Sequence, residues 1–186
     1  MFNDTTEMRR LNYISTFILA TVLISCRTNL ITTYYSDDYD KRNDQTLVNI
    51  SPLGKVKVPG KWIETRENEV SGQHFFVGPD SVQIAIALTP WDAYEFSHNN
   101  RDVTRDNFLK RFYEWEADNI RQDAKGQPKI IKESNSYIIW IVKKDLGPDT
   151  YVLFGLKGKT AYNLYVKTDR WDELRKIDFL ERLFGS

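Results

Sequence analysis

Few residues in this chain are suited to chemistry. There is one cysteine, Cys26, and there are two histidines, His74 and His98. Metal sites and nucleophile relays draw mainly on these two residue types. No His-Glu-x-x-His pair, no phosphate-loop glycine pattern and no Gly-x-Ser-x-Gly elbow occurs. Gly155 to Lys159 reads GLKGK, which has neither the glycine spacing nor the following helix of a phosphate loop and reads instead as a hairpin. Carboxylates are plentiful: Glu114, Glu116 and Asp118 in one helical segment, and Asp172, Glu173, Asp178 and Glu181 in another. A pair of them could perform acid–base hydrolysis if two converged in a cleft. Their interleaving with Lys and Arg is the pattern of solvated helix faces. The residues therefore point to no catalytic site, no metal and no cofactor.

The setting of Cys26 points to a covalent anchor. Arg9 and Arg10 precede a mostly apolar, uncharged run from Leu11 to Ser25. As a helix that run is about 22 Å long, short of the roughly 30 Å hydrocarbon core. A positive start followed by a short apolar stretch reads as a secretory signal over residues 1–25. Asp4 and Glu7 add acid to its beginning, a conflict that translation from Met8 would remove. The signal ends in LISC, Leu23 to Cys26, which resembles the bacterial lipobox. That resemblance implies fatty acyl chains on the Cys26 thiol and cleavage that leaves Cys26 as the new N-terminus. One acyl chain holds a protein only marginally, whereas two or three hold it stably. With no second cysteine, a disulfide within the monomer is excluded.

Residues 26–45 then read as the lipidated cysteine and a flexible linker. Arg27 to Gln45 is polar and shows neither helical nor alternating periodicity. As a coil it spans about 24 Å. Asp37, Asp38 and Asp40 resemble the acidic export tags of some Bacteroidota lipoproteins, but those tags stand directly behind the cysteine, where Arg27, Thr28 and Asn29 stand here. The expected location is the bacterial cell envelope, at the periplasmic face of the outer membrane, with the cell surface as the alternative.

Residues 46–186 have the length of one domain. The 26 basic and 26 acidic residues balance, so charge offers no reason to expect nucleic acid. Thr46 to Pro59 predicts one or two extended segments. QHFFV and VQIAIALT predict two strands about the turn cluster GPDS. In the second strand Val82, Ile84, Ile86 and Leu88 share one face, while Gln83, Ala85 and Ala87 share the other, where small residues permit close approach. A helix follows, with Thr104 as cap, Asp106 in the first turn and a stripe of Phe108, Leu109, Phe112, Trp115 and Ile120. Four strand-like runs come next: PKIIKES, YIIWIVKK, TYVLFGLK and TAYNLYVK. Tyr137 to Val142 and Tyr151 to Leu156 are nearly continuous apolar runs, expected to be covered on both faces. A last helix is capped by Asp169 and buries Trp171, Leu174, Ile177, Leu180 and Phe184. The fold class is α+β, an antiparallel sheet packed by two long helices.

VPGKWIE, SVQIAIALTP and YNLYVKTDRWDELRKIDFLERLF, in that order, resemble the PsbP/Mog1-like superfamily over roughly Val56 to Phe184. Its members are mostly non-enzymatic accessory or binding proteins. The resemblance implies a sandwich fold and a docking role, and transfers no site residue. The most suggestive segment is Thr89 to Val103, a long connection carrying Trp91, Tyr94 and Phe96. These rings could contact a partner or stack on a sugar, or fold down against the sheet. Three functions follow: a non-catalytic envelope lipoprotein that docks on a protein complex, a small-molecule or glycan binder using residues 89–103, and a carboxylate hydrolase. The lipid is tested by Cys26→Ser: acyl mass is lost from the mature chain and the protein leaves the membrane fraction, whereas an unmodified thiol on a freely soluble wild-type chain refutes the anchor.

Overall fold

The chain is described by a computed structural model covering residues 32–94, 96, 102–123, 126–143 and 146–186. The signal segment, Cys26 and His98 lie outside the described residues. Ten strands and two α-helices occur in the order β1 (Tyr34–Asp40), β2 (Gln45–Ser51), β3 (Gly54–Pro59), β4 (Ile63–Asn68), β5 (Gln73–Val77), β6 (Gln83–Pro90), α1 (Phe108–Gln122), β7 (Gln127–Glu133), β8 (Tyr137–Lys143), β9 (Thr150–Lys157), β10 (Thr160–Lys167) and α2 (Glu173–Gly185). A three-stranded sheet runs β1-β2-β3, and a seven-stranded sheet runs β4-β5-β6-β10-β9-β8-β7. Neighbouring strands pair antiparallel throughout. This is the α+β arrangement that the order of elements predicts. No helix among the described residues is long and apolar enough to cross a membrane.

The large sheet has two buried faces, so its middle strands are apolar on both sides. On the first face Ile84, Ile86, Ile139, Leu153, Leu164 and Val166 meet Val48, Val56 and Val58 of the small sheet and Phe179, Leu180 and Leu183 of α2. On the second face Ile138, Trp140, Val142 and Phe154 meet Phe108 and Phe112 of α1. Two glycines allow close approach on the first face. A Cβ on Gly155 would lie 2.5 Å from the Phe184 ring, and one on Gly78 would lie 2.5 Å from Trp62. Each glycine is thus the flat seat of an aromatic ring.

Several sequence expectations shift. The span from Tyr34 to Gln45, read as tether, is β1 and a tight turn into β2. The Tyr39 hydroxyl donates to Asp44 Oδ1 at 2.7 Å, and Asp40 Oδ1 accepts from the Arg42 and Asn43 amides. Residues 33–186 therefore form the compact unit, rather than 46–186. β4 also escaped the sequence reading. Both missed strands lie at sheet edges, mostly exposed, where backbone pairing with one neighbour suffices and no apolar alternation is required.

The helix starts move as well. Asn107, not Thr104, precedes α1. Its Oδ1 accepts from the Thr104 amide at 2.8 Å and its Nδ2 donates to the Asp102 carbonyl at 2.8 Å, so residues 102–107 close a separate turn before the helix begins. Asp172, not Asp169, caps α2, its Oδ1 accepting from the Arg175 amide at 2.7 Å. With the start three residues later, the buried face is Lys176, Phe179, Leu180, Leu183 and Phe184, while Leu174 is 77% exposed. Packing against the sheet selects this face, because α2 must place Phe184 on Gly155.

One polar cluster joins α2 to the edge of the large sheet. Glu181 accepts from the Tyr137 hydroxyl and from Lys132 Nζ. Burial pushes the Glu181 carboxyl up, but hydrogen bonds from Lys132 and Tyr137 together hold it below the ordinary range. A carboxylate whose folded value is depressed contributes stability above its unfolded value, and that contribution is lost as the pH falls through the folded value. Denaturant midpoints of the wild type should fall as the pH drops below about 4.3. Glu181→Gln should lower the midpoint at neutral pH and flatten the acid-side fall; an unchanged acid slope would contradict the assignment.

Candidate functional site

The second face of the large sheet is only partly covered. α1 lies against β7, β8 and β9. The segment after β6 covers a neighbouring patch. Trp91 meets Phe108 edge-on at 5.5 Å, Tyr94 meets Phe112 at 5.3 Å and Phe154 at 5.6 Å, and Phe96 stacks on Phe108 at 5.4 Å. At the centre Phe112 and Phe154 stack at 3.5 Å. All three rings singled out in the sequence are therefore brought together, turned toward the second core and partly buried. Burial pushes the Tyr94 phenol well above its ordinary range, opposed by a hydrogen bond with Thr89, so it stays neutral. The sheet–helix interface beneath this segment is filled by side chains.

Beside α1, a groove of about 380 Å³ lies over the second face, lined from Arg66 on β4 across β5, β6, β10, β9 and β8 to Ile120 and Glu116 on α1. The register builds its floor. Arg66 pairs with Phe75, Phe75 with Ala85, Ala85 with Tyr165, Tyr165 with Val152 and Val152 with Trp140, one row across six strands. Residues directly opposite in an antiparallel pair share a face. Phe75 and Tyr165 meet edge-on at 5.8 Å on either side of Ala85. The small residue in β6 lets these rings close over it, and Ala85 is fully buried. Arg66 lies over the Phe75 ring, with Cζ 4.0 Å from the centroid. Burial pushes the Tyr165 phenol up to about 12, although the charge of Arg66 and a hydrogen bond from it act the other way.

Polar side chains flank this row. Gln73 and Asn163 stand on one side, and Gln83, Lys167 and Thr150 on the other. Neither Arg66 nor Lys167 has an ion-pair partner among the described residues. Trp140, 1% exposed, also lines the groove, and its Nε1 has no hydrogen-bond partner. A buried donor without an acceptor costs about 1–3 kcal/mol. The sequence reading named none of these residues as a site. Two signals were present: the alternation of Asn163, Tyr165 and Lys167 with buried Leu164 and Val166, and the small residues of β6.

The other chemical candidates are structural. His74 is buried, with Nδ1 2.7 Å from Glu64 Oε1 and its ring stacked on Tyr35 at 3.7 Å, pinning the small sheet to the large one. The helix carboxylates hold local partners: Glu114 with Arg111, Asp118 with Arg121, Asp178 with Arg182, and Glu173 with the Tyr151 hydroxyl. α1 and α2 lie on opposite faces of the sheet, so their carboxylates do not converge. Among the described residues, no group of three or more His, Cys, Asp or Glu side chains could hold a metal ion.

No family model matches the chain, and no curated protein matches it. Among solved structures, it is similar to the solution structure of cyanobacterial PsbP (CyanoP) from Synechocystis, at 12% identity and a TM-score of 0.47, covering 89% of this chain and 97% of that one. It is also similar to a crystal structure from Bacteroides thetaiotaomicron, at 14% identity and a TM-score of 0.39, covering 69% of this chain and 43% of that one. The chain thus spans less than half the length of the second.

The aromatic cluster has a measurable consequence. Tyr94→Ala removes a ring that touches Phe108, Phe112 and Phe154, and should cost roughly 3 kcal/mol in denaturant unfolding. A loss below about 1 kcal/mol would show that the ring packs less tightly than this.

Proposed function

We propose that this chain is a non-catalytic recognition module of the bacterial envelope, lipid-anchored through Cys26, and that the groove on the second face of the large sheet receives a protein partner. The observation that carries this reading is the groove itself. A sheet face otherwise covered by α1 and the aromatic cluster carries a groove there, where Arg66, Lys167 and the side-chain amides of Gln73, Gln83 and Asn163 gather. The lipobox resemblance and the superfamily resemblance of the sequence support the same role. The periplasmic face of the outer membrane is the proposed site of action, with the cell surface as the alternative.

Two other readings have less support. A glycan or small-molecule site built from Trp91, Tyr94 and Phe96 needs exposed rings over a pocket, and these rings pack on Phe108, Phe112 and Phe154 instead. A carboxylate hydrolase needs two acids in one cleft, and the helix acids are paired locally on opposite faces.

A photo-reactive benzoylphenylalanine at Gln83, in the groove, should capture one specific envelope protein in intact cells. The same group at Leu174, exposed on α2 at the other face, should not. Capture from Leu174 but not from Gln83 would move the interface to the other face, and capture from neither would remove the docking role.

A further inference from the structure

We infer that the end of the domain at which β1 begins faces the bilayer that holds Cys26, with Tyr34 and Val70 as its lipid contacts; the inference rests on the lipid anchor proposed above and fixes which way the module stands. Cys26 stands eight residues before Tyr34, the first residue of β1. Fully extended, that length reaches at most about 28 Å. β6 crosses the domain in eight residues, roughly 27 Å. The far end can approach the bilayer only with the whole tether stretched along the domain, every residue of it fixed in one extended conformation, at a cost in entropy. The near end can approach without that stretch.

Strand pairing defines the two ends. Tyr34 pairs with Ser51, at the mouth of the β2–β3 turn. Thr160 Oγ1 donates to the Leu53 carbonyl at 3.1 Å, and the Trp91 amide donates to the Lys159 carbonyl at 3.1 Å, so that turn lies with the β9–β10 hairpin and the exit of β6. Tyr35 stacks on His74, directly after the β4–β5 turn, so the chain enters β1 beside that turn as well. At the far end Gln83 pairs with Lys167, Lys167 with Thr150, and Ile63 with Val77. Both ends expose apolar side chains, Tyr34 and Val70 at the near end, Ile63 and Leu146 at the far one, so the tether decides between them. Tyr34 is 70% exposed and Val70 98%. Asn68 Oδ1 accepts from the Val70 and Ser71 amides at 3.1 and 3.3 Å, which closes the turn with Val70 at its tip. A tyrosine ring and a bare aliphatic tip suit the headgroup boundary. The charges near them are mixed, Lys55 and Lys159 with Glu67 and Glu69, so no field of one sign repels anionic headgroups. A side-on pose would lay the outer edge strand β1 on the bilayer, and β1 carries Asp37, Asp38 and Asp40 and no cation. In the end-on pose Gln83 and Lys167, at the far end of the groove, stand away from lipid and open to a partner.

The test uses the full-length lipidated protein in vesicles of phosphatidylethanolamine and phosphatidylglycerol. With the Cys26 thiol acylated, an introduced cysteine is the sole free thiol. Val70→Cys, Leu146→Cys and Asp38→Cys, all at exposed positions, each receive the same environment-sensitive fluorophore. Lipids carrying a nitroxide on the headgroup are then added to the vesicles. The label at Val70 should be quenched at least threefold more strongly than the labels at Leu146 and Asp38, and its emission should shift to the blue. Thermal melts of the three variants should match wild type, since none of these side chains is buried. Equal quenching at the three positions, or stronger quenching at Leu146, would overturn the inference; stronger quenching at Asp38 would overturn it in favour of the side-on pose. Flotation of the wild type with the vesicles reports the anchor separately. If the protein floats and Val70 is not the most quenched, the lipid anchor stands and the orientation falls. If it does not float, both fall.

Discussion

The architecture turns on covering one sheet on two sides with limited material. Seven strands at about 4.8 Å spacing make a sheet roughly 29 Å wide. A helix with its side chains is about 10 Å across and shields two or three strands. On the first face the chain solves this with two elements, the β1-β2-β3 sheet and α2, and the core there is continuous from Val48 to Phe184. On the second face there is one helix, α1, and it lies over β7, β8 and β9. The segment carrying Trp91, Tyr94 and Phe96 extends that cover with aromatic area, a large apolar surface for few residues. The groove opens along the edge of that cover, with Glu116 and Ile120 of α1 in its wall.

The residues at that boundary follow from it. Strands deep in the covered region are apolar on both faces, as in Tyr137 to Val142. β10 changes character along its length: Ala161 is buried under the aromatic cluster, while Asn163, Tyr165 and Lys167, on the same face, emerge into the open region. Tyr165 suits the transition, since its ring packs on Phe75 over Ala85 while its hydroxyl reaches the polar zone near Arg66. Trp140 marks the same boundary from the other side. Its ring belongs to the second core, yet its Nε1 is shielded from solvent without an acceptor.

Charge is arranged differently on the rest of the surface. The helix carboxylates and arginines pair at short range along α1 and α2, and such exposed pairs contribute little to stability. Glu181 with Lys132 and Tyr137, and His74 with Glu64 and Tyr35, tie separate elements together. Arg66 and Lys167 lie apart from these pairs: both line the groove, Arg66 over the Phe75 ring and hydrogen-bonded to Tyr165.

Much of this was legible in the residues themselves. Apolar alternation and turn chemistry located β2, β3 and β5 to β10, the Gly158-Lys159 hairpin, both helices and the α+β class, because burial imposes its period directly on side-chain type. The same reading placed β1 in a tether and passed over β4, because edge strands are held by backbone hydrogen bonds that leave no apolar signature. Asp172 displaced Asp169 because several residues near a helix start can cap and packing chooses among them, whereas Asn107 precedes α1 without capping it, its side chain closing the turn before the helix. Which part of the sheet stays uncovered, and hence that Arg66, Gln83 and Lys167 line one groove, was decided only by the tertiary structure. Strand order sets β10 directly beside β6, with β5 and β4 beyond it, although β10 lies far from them along the chain. Such adjacency is a property of long-range pairing, and no local pattern encodes it.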